Sequence, residues 1–550
     1  MRMHWRRLIA FSGAAAMLAN SALPVAAADP DFHDHYTATP IKHLVVIYDE
    51  NVSFDHYFAT YPHATNPTGE PRFYPAPFTP LVNNLVTANL LTNNPNFLNA
   101  ANGAGAANPF RLDRTQAATA DQDHNYTPEQ QAYDGGKADL FPEYTGSGTS
   151  GGAGAFGTTG QVMGYFDGNT VTALWNYAQH FAMSDNQHGS AYGPSTPGAL
   201  EAVSGQTNGY VAVVGTKSSA FVADSEGGYT DIGDEDPGND TCSSKTQTMS
   251  MQGKNIGDLL NAHGISWGGF MGGFNLSLVN ADGSTGCARD STSVYTGTTA
   301  DYVPHHNWFQ YYASTANPTH ARPNSVAAIG HTYDGYGQLD PANHEYDVDD
   351  FYAAVKAGNF PAVAFLKAPA YQDGHPGYSD PLDEQTWIVQ VVNFIEQSPE
   401  WRDTAIIIDW DDSDGWYDHA FAEPTNASYS SADQLDGAGM CGTGAPLPGL
   451  SGEPVYGRCS PGPRIPFFVI SPYAKANYVS HTVLMQSSIV RFIEDNWLHG
   501  ERLNNGSFDA TAGSIMDMFD FTTRFPNPPL FLDPQEGTPV GHPAPFPPFL

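Results

Sequence analysis

"HLVVIYDENVSFDHYF", residues 43–58, runs from four apolar residues, Leu44 to Ile47, into a tight cluster of Asp49, Glu50, Asn51, Ser53, Asp55 and His56. An apolar run that stops abruptly in polar side chains is the pattern of a buried strand. Two readings of its polar end are open. Asp, Asn and Ser are ordinary loop residues, because their side chains hydrogen-bond to their own backbone. Oxygen donors gathered at a strand terminus also make the edge of a metal site.

The pattern recurs in "AIIIDWDDSDGWYDH", residues 405–419, which leads into Asp409, Asp411, Asp412, Asp414, Asp418 and His419. Carboxylates packed together repel one another unless a cation binds them. An all-oxygen set suits Ca²⁺ or Mg²⁺ better than Zn²⁺, which is not excluded. A pair of acidic surface loops is the alternative. Further strand-like runs are "YVAVVG" (210–215), "ISWGGF" (265–270), "PAVAFLKAP" (361–369) and "IPFFVISPY" (465–473). Helical spacing lies between them. In "TWIVQVVNFIEQSPEW" it places Ile388, Val391, Val392 and Ile395 on one face, and Ser398-Pro399 closes the segment; a second helix is expected over 480–497, with Ser480 as its cap. Continuous apolar strands alternating with helices predict an α/β fold, a large, mostly parallel central sheet with helices on both faces. Ligands collect beyond the carboxyl ends of such strands.

Long irregular stretches at about 60–160, including "GSGTSGGAGAFGTTG", and at 420–463 read as insertions or lids on a single catalytic domain spanning 29–550. The proline-rich tail from Phe525 reads as an extended strap.

The chain carries 22 basic and 58 acidic residues, a net charge of −36. Such a surface repels nucleic acid and anionic headgroups, so no nucleic-acid partner is expected. An anionic substrate needs local help from a metal or a few positive groups. At the N-terminus Arg2, Arg6 and Arg7 precede an apolar stretch from Leu8 to about Leu18, followed by small residues with cleavage after Ala27 or Ala28. This is a secretory signal over residues 1–28, too short and too rich in small residues for a membrane anchor. A secreted or periplasmic protein is expected, and its cysteines fit that compartment. The simplest of three pairings is Cys242–Cys287 with Cys441–Cys459. Oligomeric state is not readable.

"GSAYGPSTPGALEAVSGQT", residues 189–207, places a tight turn, Gly193 to Gly198, ahead of a helix. Ser195 there suits a helix cap. It also suits a nucleophile, because the helix N-terminus favours an anion. Histidines supply proton donors: His124 in "DQDHNYTPEQQ", His305 and His306 in "VPHHNWFQYY", and His375 in "YQDGHPGYSDP". His375 follows a strand and so falls on the expected catalytic edge.

Taken together, "ENVSFDHYF", "YGPSTPGALEAVSG", "PHHNWFQYY", "DGHPGYSD" and "WDDSDGWYDH" resemble, in order, the blocks of the bacterial phosphoesterase family of acid phosphatases and phosphatidylcholine-type phospholipases C. The resemblance spans roughly residues 40–500. It implies an alkaline-phosphatase-like core. It also implies one divalent metal held by Glu50, Asn51, Asp411, Asp412 and the oxygen of Ser195, with His124, His305, His306 and His375 lining a phosphate pocket. Ser195 would be the nucleophile, with Thr196 as the fallback. The family commonly has Asn where this chain has Gly198. Its longer phospholipases carry C-terminal β-rich domains, and this chain ends soon after its core. The expectation is therefore an acid phosphatase acting on small phosphate esters, with phospholipase C as the alternative.

Overall fold

The computed structural model describes residues 36–215, 217 and 219–542; the expected signal peptide lies outside them. Among the described residues the central sheet has nine strands. They are β1 (His43–Asp49), β2 (Ala182–His188), β3 (Trp267–Met271), β4 (Glu345–Asp347), β5 (Val363–Lys367), β6 (Thr404–Trp410), β7 (Arg464–Ile470), β8 (Tyr478–Ser480) and β9 (Leu484–Met485). Their order is β4-β3-β5-β1-β6-β7-β2-β8, with β9 also on β2. From β4 to β6 all neighbours are parallel. β7 is reversed, antiparallel to β6 and β2, while β8 and β9 run parallel to β2. The α/β, mostly parallel expectation holds.

Register fixes where the polar ends meet. Ile47 lies opposite Ile408 and Asp49 opposite Trp410, while Leu366 lies opposite Ile47. Glu50, Asn51, Asp411, Asp412 and Lys367 therefore leave the sheet at one edge. β1, β5 and β6 are buried almost throughout, which requires cover on both faces. Helices α1 (Thr172–His180), α2 (Ser195–Ser204), α3 (Ile256–His263), α4 (Pro381–Glu396) and α5 (Ser487–Trp497) contribute to it. α2 packs on α5 and α3, and α1 packs on α4. α4 starts earlier than its apolar spacing suggests, because Asp380 accepts hydrogen bonds from the Leu382 and Asp383 N–H groups and Pro381 suits a first helical turn.

Two expectations need correction. "YVAVVG" does not join the central sheet: Tyr210–Val214 is an edge strand of a separate three-stranded sheet and is largely exposed after Tyr210. Its apolar run packs on too little to be a core strand. Ser480 does not cap a helix. It ends β8, its hydroxyl donates to Asp517 Oδ2 at 2.6 Å, and α5 begins only at Ser487.

The irregular segments 60–160 and 420–463 share a second hydrophobic cluster that includes Tyr126, Tyr133, Phe141, Leu435, Cys441 and Cys459. Tyr126 OH ties them by donating to Asp433 Oδ1 at 2.7 Å. Both expected disulfides, Cys242–Cys287 and Cys441–Cys459, are present. The tail lies extended against α4, where the Leu532 N–H donates to Asn393 Oδ1 at 3.1 Å and Asn393 returns a bond to Leu532 O at 2.8 Å. No helix among the described residues is long and apolar enough to cross a membrane.

Candidate active site

The turn after β1 puts Asn51 in the left-handed region, with φ 62°, a conformation that asparagine tolerates better than most residues. Its N–H then donates to Asp411 Oδ1 at 3.0 Å and its side-chain amide to Asp414 Oδ1 at 3.1 Å. The ends of β1 and β6 are thereby locked together. A third element closes on them. Gly193, at φ 120°, turns the chain out of β2 and into α2, and Ser195 is the first helical residue. No side chain caps this helix, so the Ser195 hydroxyl is not engaged as a cap. It donates to Glu50 Oε2 at 3.1 Å and lies 3.4 Å from Asp412 Oδ2.

α2 comes this close because Gly198 has no side chain. A Cβ there would sit 2.0 Å from the Asp411 carbonyl oxygen. The glycine that departs from the family pattern is thus a point of close backbone approach. Tyr48 OH fastens the same turn, donating to Gly198 O at 2.7 Å. Thr196 faces away from the carboxylates: its N–H donates to Asp234 Oδ1 at 2.9 Å and its hydroxyl meets Tyr311 OH at 3.2 Å.

Glu50, Asn51, Ser195, Asp411 and Asp412 are therefore gathered at one buried place. Burial, then the Asp411 charge, pushes Glu50 and Asp412 well above the ordinary carboxylate range. For Asp411, burial opposes ionisation, yet the Lys367 charge and hydrogen bonding by Glu50 and the Asn51 N–H hold it below that range. Carboxyls crowded in this way share protons that a cation can replace. Asn51 Oδ1 and Asp411 Oδ2 are buried without a hydrogen-bond partner. Hard oxygen donors with orphaned acceptors among them are the donor chemistry that a divalent ion takes.

The imidazoles line a cleft of about 440 Å³ with Asp121, Asp123, Asp234, Pro194 and Tyr378. His124 and His375 rings are 6.0 Å apart, His306 and His375 6.2 Å, and His305 and His306 4.5 Å. Burial opposes a proton on His124 and His305, but Asp412 and Asp414 beside the first, and Asp236 beside the second, raise both above the ordinary imidazole value. Burial lowers His306 well below it, helped by His305 and Lys367, and takes His375 to about 4. The cleft thus mixes charged and neutral donors.

Two neighbours, Lys367 and Asp373, were not singled out in the sequence, and a third, Asp414, was noted there only as part of the acidic run. Lys367, at the end of β5, pairs with Glu50 Oε1. Asp373 lies 3.6 Å from His306, and Asp414 lies 3.3 Å from His124. The sequence signal for all three is the same: polar residues at or just past strand ends already singled out.

A family model described as the Phosphoesterase family matches residues 41–498. The non-hemolytic phospholipase C of Pseudomonas aeruginosa is 23% identical over 517 residues, covering 92% of this chain and 61% of that protein. Phospholipase C A of Mycobacterium tuberculosis is 23% identical over 537 residues, covering 93% of this chain and 84% of that one. The chain thus spans about three fifths of the length of the Pseudomonas relative. Among solved structures, murine ectonucleotide pyrophosphatase/phosphodiesterase 5 is 12% identical with a TM-score of 0.30, covering 64% of this chain and 95% of that one. A likeness that distant bears on nothing further.

Proposed function

The chain belongs to the phosphoesterase family, and from that premise we propose that it is an exported acid phosphatase that hydrolyses phosphate monoesters through Ser195. The observation that carries this reading is the buried Ser195 hydroxyl, held 3.1 Å from Glu50 and 3.4 Å from Asp412, directly after Pro194, which borders the histidine-lined cleft.

Glu50, Asn51, Asp411, Asp412 and Ser195 would hold a divalent ion, which would supply Lewis-acid polarisation of a phosphoryl oxygen and of the hydroxyl. Glu50, the nearer carboxylate, accepts the one hydroxyl proton as Ser195 Oγ bonds to phosphorus and the phosphorus–alkoxide bond breaks. His124 or His375, both facing the cleft, protonates the departing alcohol. Water then attacks the phosphoserine from the vacated side, the same imidazole now accepting its proton, and phosphate leaves as Ser195 recovers its own. Asn51 and the remaining histidines donate to the equatorial oxygens, where charge builds up.

A second reading is a phospholipase C, which the names of the relatives favour. The two separate by rates on p-nitrophenyl phosphate and p-nitrophenylphosphorylcholine, measured across pH with and without chelator. Dominant turnover of the diester moves the assignment to phospholipase C; turnover of neither removes both. Export is part of the proposal and is supported by two disulfides and the N-terminal sequence. So is the reading of 29–550 as one catalytic domain, because the 60–160 segment supplies His124 to the same cleft that Pro194, His305, His306 and His375 line.

A further inference from the structure

The Lys367 ammonium takes no part in the scheme above, yet it sits in the middle of the site. Lys367 closes β5 and is only 1% exposed. Its side chain passes the Tyr48 ring, with Nζ 5.4 Å from the ring centre, to pair with Glu50 Oε1. His306 Nδ1 meets that same oxygen at 3.2 Å. The other oxygen, Oε2, accepts the Ser195 hydroxyl. The two oxygens of Glu50 are thus divided between a protein cation and the candidate nucleophile. A terminal carboxylate torsion is broad and soft, so an unanchored Glu50 would present either oxygen or neither. Asp373 and Asp411 lie within Coulombic range of both Lys367 and Glu50, and any charge on them repels that of Glu50.

We infer that Lys367 is a positioning residue for the metal ligands: it pins Glu50 Oε1 so that Oε2 is the oxygen presented to the cation and to Ser195. The inference rests on the reading of Glu50, Asn51, Ser195, Asp411 and Asp412 as ligands. Removing the ammonium has two opposed effects. Losing a positive charge beside a cation site strengthens binding by Coulomb's law, whereas releasing Glu50 weakens it. Positioning requires the second to win.

The test is calorimetric titration of the chelator-stripped full chain with MgCl₂ and CaCl₂, for the wild type, Lys367→Met and Lys367→Arg. Lys367→Met is expected to bind about 10–100-fold more weakly, the scale of losing a residue that orients a metal ligand. Lys367→Arg, which keeps the charge, recovers most of that loss. With metal saturating, kcat on p-nitrophenyl phosphate falls more than KM changes, because Ser195 has lost a fixed acceptor. Lys367→Met binding as tightly as the wild type, or tighter, overturns the inference and leaves the ligand set standing. A wild type that binds neither ion nor ZnCl₂ overturns the ligand set itself. If Lys367→Met does not fold, Lys367→Gln is titrated in its place with the same two outcomes.

Discussion

Ser195 and Glu50 are 145 positions apart in the chain, yet the hydroxyl of one donates to the carboxylate of the other at 3.1 Å. Nothing local explains that contact. It exists because β1 delivers Glu50 to the sheet edge and the turn out of β2 starts a helix there.

If Ser195 is the attacking group, Ser195→Ala lowers turnover of p-nitrophenyl phosphate by at least ~10³-fold while circular dichroism and melting stay close to wild type. Thr196 does not rescue it, since its hydroxyl bonds to Tyr311 instead. A folded alanine variant with near-normal turnover refutes the assignment.

Asp412→Asn keeps the shape of the side chain and removes its charge. Elemental analysis after dialysis is expected to show metal content falling together with activity. Full metal content would take Asp412 out of the ligand set.

Gly198→Ala places a carbon where the Asp411 carbonyl oxygen stands, 2.0 Å away. α2 must retreat, and Ser195 with it. A misplacement of about 1 Å is worth roughly 10²-fold in rate, so kcat on p-nitrophenyl phosphate is expected to fall on that scale, with a lower melting temperature. Gly335→Ala, which has nothing within 4 Å of the added carbon, is the control. Equal behaviour of the two variants contradicts the close-approach argument.

The contribution of Glu396 to stability is expected to favour acid. Burial pushes the Glu396 carboxyl from its ordinary 4.5 up to about 8, opposed only by the Leu530 N–H that donates to it at 2.9 Å. A folded-state value above the unfolded one means that the folded chain keeps a proton the unfolded chain gives up. The stabilisation is complete below pH 4.5 and is lost as pH rises through 8. Glu396→Gln stays neutral throughout, so the drop in urea midpoint from pH 5 to pH 8 shrinks relative to wild type. An unchanged drop places the pH dependence elsewhere.

The parallel core was legible because β1, β5 and β6 carry apolar runs that only a sheet covered on both faces accommodates. β2 was not. Its sequence, Ala182 to His188, is mostly polar, and it is buried because partners far away satisfy it: Gln187 donates to Asp409 Oδ2 at 3.2 Å, and Arg464 reaches Asp185 O at 2.9 Å. No local pattern announces such bonds. The acidic ends of β1 and β6 could be read as a shared cation edge from repulsion alone, whereas Ser195 stood out only through a family motif, since a serine at a helix start is ordinary. Lys367 escaped for the opposite reason: a lysine closing a strand is normally solvated. That this one is buried against Glu50 follows from the register of β5 beside β1, which is a tertiary fact.

β2 pairs in the central sheet with β7, β8 and β9, which occupy residues 464–485. During synthesis the segment carrying Ser195 therefore emerges long before the strands that seat it. Until residues 464–485 have been made, β2 lacks the strands it pairs with in the central sheet. If Ser195 is the attacking group, its reactivity is expected to arise only once those late strands are in place.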